Sequence, residues 1–522
     1  MSQSPGTNPN PNPSPNLNLK LSPNSDSYYP NLKPPPSLKS KWSPEALSLS
    51  DIWFKQQRLK HVIYKMQQHY FNHPLSRTPS ASPPSEPDLT PFQSLPLDPI
   101  EPDYTSLLSD ALLLKILSKL PVSQHVSNSL VCKRWLYLNG RLVQSLKVTD
   151  WSFVSSGRIF GRFPNLTDLD LVRASIRVTR NSGILVTRKT MSVHVDTNYT
   201  LDGFIGKTAF LPSNEVDQGL TLIAEKYPNL QRLVAAGASE QGLIRIAAEC
   251  CTLQELELHC CGDLALKGLS GIKNLQVVKL IGFIDGFYNS VISDIGLTLL
   301  AQGCKRLVKL ELCGCEGSYD GIKAIGQCCQ MLEELSFYDH RMDGGWLAGL
   351  SFCVNLKTLK LKSCKSIDES PGADEHLGSC STLEELQLER CQIRDKQSVK
   401  ALFLVCQNVR AIAFQNCWGL DDDVFSLASI CRRVKLVSLE GCSLLTIKGL
   451  EWVVLSWKGL QQLRVVSCNN IKDSEITPEL ATLFSVLKEL KWRPDSRSLL
   501  SSNLAGTGMG NKGGRFFKRS RD

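Results

Sequence analysis

Nineteen cysteines and eight histidines are the side chains of this 522-residue sequence best suited to hold a metal or attack a substrate. Their spacing argues against both roles. Six cysteine pairs lie eleven residues apart: Cys250 and Cys261, Cys304 and Cys315, Cys353 and Cys364, Cys380 and Cys391, Cys406 and Cys417, Cys431 and Cys442. A zinc site wants C-x2-C pairs or Cys/His clusters at ligand spacing. Neither occurs, and the adjacent pairs Cys260-Cys261 and Cys328-Cys329 suit no common zinc geometry. The histidines are scattered, with no H-E-x-x-H, and there is no G-x-S-x-G elbow and no Walker loop. Gly508-Met-Gly510-Asn-Lys-Gly513 has the form G-x-G-x-x-G, but without a strand before it or a helix after it this is a chance match in a Gly-rich tail. No enzyme, no cofactor and no metal is expected. The cysteines read as small buried hydrophobes.

A repeated unit must position them. In Cys251-Thr-Leu-Gln-Glu-Leu-Glu-Leu-His-Cys-Cys261, the residues Leu253, Leu256 and Leu258 are spaced L-x-x-L-x-L, with Cys261 three residues on. This is a short strand with its apolar side chains turned one way. The pattern returns from Leu307, Leu356, Leu383, Val409, Val434 and Leu460, with weaker copies from Leu166, Leu230, Leu275, Leu332 and Leu487. From Leu307 to Leu487 the starts are 25, 24, 27, 26, 25, 26 and 27 residues apart. A period in the twenties with this core is the signature of a leucine-rich repeat solenoid, here of about twelve repeats. The second half of a repeat reads Gly-Leu-x-x-apolar-Ala-x-x-Cys, as in Gly242 to Cys250, Gly296 to Cys304 and Gly321 to Cys329. That predicts a short helix antiparallel to the strand. One cysteine of each pair then ends a helix and the other ends a strand.

Composition bounds the rest. The length allows two or more domains. Residues 1–103 are rich in Pro, Asn and Ser and read as disordered, except for apolar residues at helical spacing over 43–71, which predict one amphipathic helix. No run of 18 apolar residues occurs, so no membrane span is expected. The start Met-Ser-Gln-Ser-Pro-Gly lacks a basic and an apolar region, so no signal peptide is expected. The chain is expected inside the cell, in nucleus or cytoplasm, with reduced thiols. Residues 152–492 hold 37 Lys/Arg against 38 Asp/Glu, which makes the repeats a poor binder of phosphate backbone, so no nucleic acid is expected. Residues 105–151 hold six against two, and the tail 493–522 seven against two. The tail 495–522 is expected to be disordered. Between the repeats starting at Leu166 and Leu230 lies an insertion over 175–216, and a smaller one before Leu307 carries Phe283, Phe287 and Tyr288.

Residues 104–151 form a different unit. Leu108, Leu112, Leu113, Ile116, Leu117 and Leu120 line one helical stripe that Pro121 ends, a second short helix follows, and Leu130, Val131, Trp135 and Leu138 recur at helical spacing. Three short helices give a thin core, and such a unit needs a neighbour. A cap on the solenoid end would satisfy that need.

The strings Leu112-Leu-Leu-Lys-Ile-Leu-Ser-Lys-Leu-Pro121 and Leu130-Val-Cys-Lys-Arg-Trp135 resemble the F-box, the module by which substrate receptors attach to the Skp-type adaptor of cullin–RING ubiquitin ligases. The family usually opens its first helix with Leu-Pro-x-Glu; here Leu108-Ser109-Asp110-Ala111 stands in its place. The resemblance implies that Leu108, Leu112, Ile116, Leu117, Leu120, Pro121, Val131, Cys132 and Trp135 form or support the adaptor-facing surface. The repeats resemble the cysteine-containing leucine-rich repeats that accompany the F-box in a group of ligase receptors, many of them from plants. The fold expected is α/β: an N-terminal three-helix F-box module over 104–151, then a leucine-rich repeat solenoid, a horseshoe, over 152–494.

Non-leucine strand positions of such a solenoid face its concave side. The candidates for substrate contact there are Arg232, Glu255, Glu257, His259, Tyr338, Lys360, Lys362, Glu385 and Glu389, and the same face carries Asp168, Asp170, Lys279, Lys309, Glu311, Glu334, Ser336, Thr358, Gln387, Gln415, Glu440, Gln462, Arg464 and Lys491. Charge of both signs favours a protein partner. The function expected is a non-catalytic substrate receptor of an SCF-type ligase, with a Skp-type adaptor, through it a cullin/RING subunit, and an unknown protein substrate as partners. The alternative is a repeat scaffold or ligand sensor that does not direct degradation.

Overall fold

The computed structural model describes residues 104–176, 185–188, 191–194, 210–284, 288–289 and 292–495. The expected helix over 43–71, the tail from 496 with its glycine motif, and most of the 175–216 insertion lie outside them.

Thirteen strands join in sequence order into one parallel sheet: β1 (Ser145–Lys147), β2 (Asp168–Asp170), β3 (Arg232–Ala236), β4 (Glu255–His259), β5 (Val277–Ile281), β6 (Lys309–Cys313), β7 (Glu334–Tyr338), β8 (Thr358–Lys362), β9 (Glu385–Glu389), β10 (Ala411–Gln415), β11 (Leu436–Glu440), β12 (Gln462–Val466) and β13 (Glu489–Arg493). Twelve of them follow the repeat starts read from the sequence. The thirteenth, β1, lies inside the segment assigned to the helical module and pairs Ser145↔Asp168 through Lys147↔Asp170, so the sheet begins before residue 152. Its residues Ser-Leu-Lys offer one apolar side chain, too few for the leucine pattern to register.

The pairing is in register, so like positions stack. Leu310, Leu335, Leu359, Leu386, Ile412, Val437, Leu463 and Leu490 form one ladder, and Leu312, Phe337, Leu361, Leu388, Phe414, Leu439, Val465 and Trp492 the next. Both ladders are buried in a single continuous core running from Val148 to Trp492. Each repeat buries its stripe only against its neighbours, as a solenoid requires. The architecture is α/β, and it is a leucine-rich repeat solenoid.

The turns after nine of the strands share a backbone feature. The residue that follows β3, β4, β6, β7, β8, β9, β10, β11 and β12 has positive φ: Gly237, Cys260, Gly314, Asp339, Ser363, Arg390, Asn416, Gly441 and Ser467. Six of these are not glycine, and each costs roughly 1–2 kcal/mol in that conformation. The same residue donates its N–H to the last strand carbonyl of the next repeat, for example Asn416 N to Glu440 O at 2.6 Å and Ser467 N to Arg493 O at 2.9 Å. One hydrogen bond between repeats, net about 1 kcal/mol, offsets much of that cost and turns the chain back toward its helix.

The Gly of Gly-Leu-x-x also has a structural cause. Asp217, Asp263, Asp294 and Asp422 each accept from the backbone N–H and hydroxyl of a Ser or Thr opening the next helix: Ser239, Ser293, Ser318 and Thr446. Gly242, Gly296, Gly321 and Gly449 lie against those carboxylates, and a Cβ there would sit 2.2 to 2.3 Å from an Asp oxygen. Glycine is the residue that lets the staple close.

The insertion shows an antiparallel pair, Leu185–Arg188 with Met191–His194, and the helix Ser213–Lys226 begins inside its assigned range. The smaller insertion forms the pair Phe283–Ile284 with Tyr288–Asn289; Phe287 lies outside the described residues.

Candidate interaction surfaces

Three helices precede the sheet: α1 (Asp110–Leu117), α2 (His125–Ser129) and α3 (Lys133–Leu142). The missing Pro at the start of α1 is replaced by a side-chain cap: the Ser109 hydroxyl accepts from Leu112 N. Arg134 of α3 holds the entry segment by donating to the carbonyls of Thr105 and Leu108 and to Asp110 Oδ1 at 2.8 Å. The Cys132 sulfur accepts from Trp135 N and opens α3.

Leu113, Leu117 and Leu138 are this unit's buried core, with Leu108, Leu114, Leu120, Trp135 and Leu142 half-buried around it. The predicted contact residues therefore divide. Leu112, Ile116, Pro121, Val131 and Cys132 are exposed. Leu117 faces inward at 0% exposure, because it falls one turn beyond Leu113 on the inner stripe, and it supports the surface rather than forming it. Leu108, Leu120 and Trp135 are partly inside, and the Trp135 indole donates to Thr105 Oγ1.

Besides Leu130, already marked at helical spacing in the sequence, the structure adds apolar side chains that the stripe argument passed over. Leu107, Val122, Val126 and Leu130 are exposed at 82, 79, 73 and 80%. Leu107, Val122 and Val126 lie between or at the ends of the helices, where helical spacing cannot mark them. With Leu112, Ile116, Leu130 and Val131 they make seven exposed aliphatic residues in a stretch of 25. Scattered surface leucines need no explanation; seven exposed aliphatic side chains within 25 residues make this stretch a candidate interaction surface.

The open face of the sheet behaves differently. There the charges are mostly joined to each other. Arg232 reaches Asp168 and Glu255 at 3.1 Å and Glu257 at 3.3 Å. Glu257 bonds His259 at 2.9 Å. Lys279 lies between Glu255 and Glu311, Lys309 between Glu311 and Glu334, and Lys360 closes on Glu334 at 2.8 Å. One chain of ion pairs thus runs from β2 to β8. Burial opposes ionisation of Glu257, but the hydrogen bond from His259 and the cations Lys279 and Arg232 hold its carboxyl below the usual range. Lys360 and Lys309 do the same for Glu334 against its own burial.

Of the predicted contacts, Arg232, Glu255, Glu257, His259 and Lys360 belong to this network. Glu257 and His259 are buried, so they order the face and are not free to meet a partner. Sequence placed them on the face but could not show that neighbouring cations cover them. Lys362 lies over the Tyr338 ring at 5.2 Å and pairs with Glu389 at 3.2 Å, forming a second cluster with its members still half-exposed. Glu385 accepts from Gln387 at 2.6 Å.

The cysteines form two spines. Cys391 donates to Leu361 O at 3.2 Å and Cys417 to Leu388 O at 3.3 Å, each reaching the preceding repeat; Cys329 and Cys431 do so at helix ends, and Cys380 from an irregular segment where the expected helix is only the short turn Asp374–His376. None of the nineteen forms a disulfide. Burial pushes the thiol of Cys250 up to about 11, and those of Cys261, Cys304, Cys353 and Cys431 up to about 12. Such thiols are poor ligands and poor nucleophiles. Among the described residues no group of three His, Cys, Asp or Glu could hold a metal, and no helix is long and apolar enough to cross a membrane.

No protein-family model matches the chain. Among solved structures it is similar to an internalin of Listeria monocytogenes, at 17% identity over 49% of this chain and 66% of that one, with a TM-score of 0.30. A leucine-rich repeat protein of Leptospira interrogans is 16% identical over 66% and 84%, with the same TM-score. The yeast Rad7–Elc1 complex contributes a chain 12% identical over 83% and 96%, again at 0.30. Values this low carry no argument about function. The repeat architecture stands on the register and the core.

Proposed function

We propose that the chain is a non-catalytic substrate receptor of an SCF-type ubiquitin ligase. The helices α1 to α3 act as an F-box that docks a Skp-type adaptor, and through it a cullin and RING subunit, while the repeats hold a protein substrate. The observation that carries this reading is the exposed aliphatic surface from Leu107 to Val131 on a unit whose own core is three buried leucines. A partner that covers it supplies what the unit cannot bury alone. The resemblance of the residue pattern to the F-box is what supports a Skp-type adaptor as that partner. The receptor does no bond chemistry; it raises the local concentration of substrate lysines near the charged conjugating enzyme.

The test is co-purification. Full-length chain is expected to bring down adaptor and cullin, and Leu112→Asp/Ile116→Asp to bring down neither, while its thermal unfolding stays that of the wild type because both side chains are already exposed. A well-folded wild type that retains neither protein would overturn the ligase reading and leave a repeat scaffold.

A further inference from the structure

The turns that lead into the last four strands carry charge of one sign. Residues 406–410, 431–435, 457–461 and 484–488 contain Arg410, Arg432, Arg433, Lys435, Lys458 and Lys488 and no carboxylate. All six are exposed. The register sets these turns side by side along the N-terminal edge of the sheet, since Ala411, Leu436, Gln462 and Glu489 pair in succession. Backbone bonds between the turns fix them: Lys435 N to Arg410 O and Gln461 N to Lys435 O at 2.7 Å, Lys488 N to Gln461 O at 2.8 Å.

This edge differs from the open face beside it. Arg410 has Glu384 at 3.4 Å, with both side chains more than half exposed. The other five form no ion pair among the described residues. Like charges held together repel and lower stability, so an anion laid along the edge would relieve them. Two adjoining clefts provide seats. One, of about 200 Å³, is lined in part by Lys357, Thr382, Glu384, Asn408, Arg410 and Arg433. The next is lined by Gln407, Asn408, Ser429, Ile430, Arg432 and Arg433. Guanidinium and amide donors at both suit planar carboxylates, which Arg takes with two parallel hydrogen bonds.

We propose that this edge docks an acidic segment of a protein partner, with its carboxylates seated on Arg410, Arg432 and Arg433 and the flanking lysines drawing it in. Rested on the reading of the repeats as the recognition arm, this names the chemistry of what that arm takes. A long phosphate backbone is disfavoured because the repeats as a whole hold 37 Lys/Arg against 38 Asp/Glu, so that positive charge is confined to this short edge.

The test uses full-length chain and a labelled twelve-residue oligo-glutamate peptide, with fluorescence anisotropy read at low and physiological salt. Arg432→Glu/Arg433→Glu/Lys435→Glu is expected to weaken binding at least about tenfold, the scale of losing close charge pairs with repulsion added. Lys226→Glu/Arg245→Glu/Lys448→Glu, with the same net charge but no residue on the edge, is expected to stay within about twofold, and added salt to weaken the wild type. Equal loss in both variants, or none in the first, overturns the proposal. So does tighter binding of a single-stranded oligonucleotide through the same residues. Adaptor capture is measured on the same variants. Its retention in the edge variant separates this surface from the helical module, and its absence in the wild type faults the ligase reading without touching the peptide result.

Discussion

At the scale of single residues, two devices recur and both can be broken. Gly321 lies against the Asp294 carboxylate that receives Ser318 N at 2.8 Å and its own N–H at 2.9 Å. Gly321→Ala is expected to lower stability by about 1–3 kcal/mol through crowding. Asp294→Ala is expected to cost about 1–3 kcal/mol through orphaned donors. The double variant should cost less than the sum, because the new methyl then meets no carboxylate; urea titration of all three checks this, and strict additivity would refute the staple. The buried His340, ringed by Phe337 and Trp346, has its pKa pushed by burial down to about 4 despite Asp368 and Asp339 nearby. A lowered folded pKa means the unfolded chain binds more protons. The His340 contribution is whole above about 6.5, shrinks as pH falls, and is gone below about 4. The carboxyls of Glu257 and Glu334, also lowered, add loss of stability below their ordinary value of 4.5. Melting temperature against pH should therefore slope from 6.5 downward, and His340→Phe should flatten the part above about 4.5. An unchanged profile in that variant would assign the slope elsewhere.

At the scale of elements, helix starts and cysteine spines can be separated from metal chemistry. Ser109→Ala removes the cap of α1 and is expected to cost the helical unit about 1 kcal/mol, read as faster amide exchange over 110–117 with the repeats unchanged. The spines hold by burial and weak S–H bonds. A chelator should leave the unfolding midpoint where it is, and a thiol reagent should modify Cys132 and Cys251, the two exposed cysteines, before the rest. A drop in midpoint on chelation would contradict the packing account. Much of this was legible in the sequence. The L-x-x-L-x-L period located twelve strands, because each repeat spends its apolar residues on the same ladder positions. The strand β1 was not legible, since Ser145–Lys147 holds one leucine. The ion-pair chain from Asp168 to Lys360 was half legible. Its residues could be assigned to the open face, but which cation covers which carboxylate depends on neighbours about 25 residues apart in sequence, and so His259 was expected at a surface where it is buried.

At the scale of the whole molecule, the chain separates two kinds of surface. The open sheet face from β2 to β8 satisfies its own charges. What is left unsatisfied lies elsewhere: aliphatic side chains from Leu107 to Val131 before the sheet, and cations along the edge of β10 to β13. Three of the seven aliphatic residues of the first surface, Leu107, Val122 and Val126, are unmarked by any period, which is why sequence found its helices more easily than its contact set. The central claim is that this aliphatic surface is where a Skp-type adaptor docks. The most direct measurement is amide hydrogen exchange of the full-length chain with and without purified adaptor. The account predicts slowed exchange over residues 107–131 and no change along the turns before β10 to β13. Binding with protection confined to the repeats, or no protection anywhere at saturating adaptor, would contradict it.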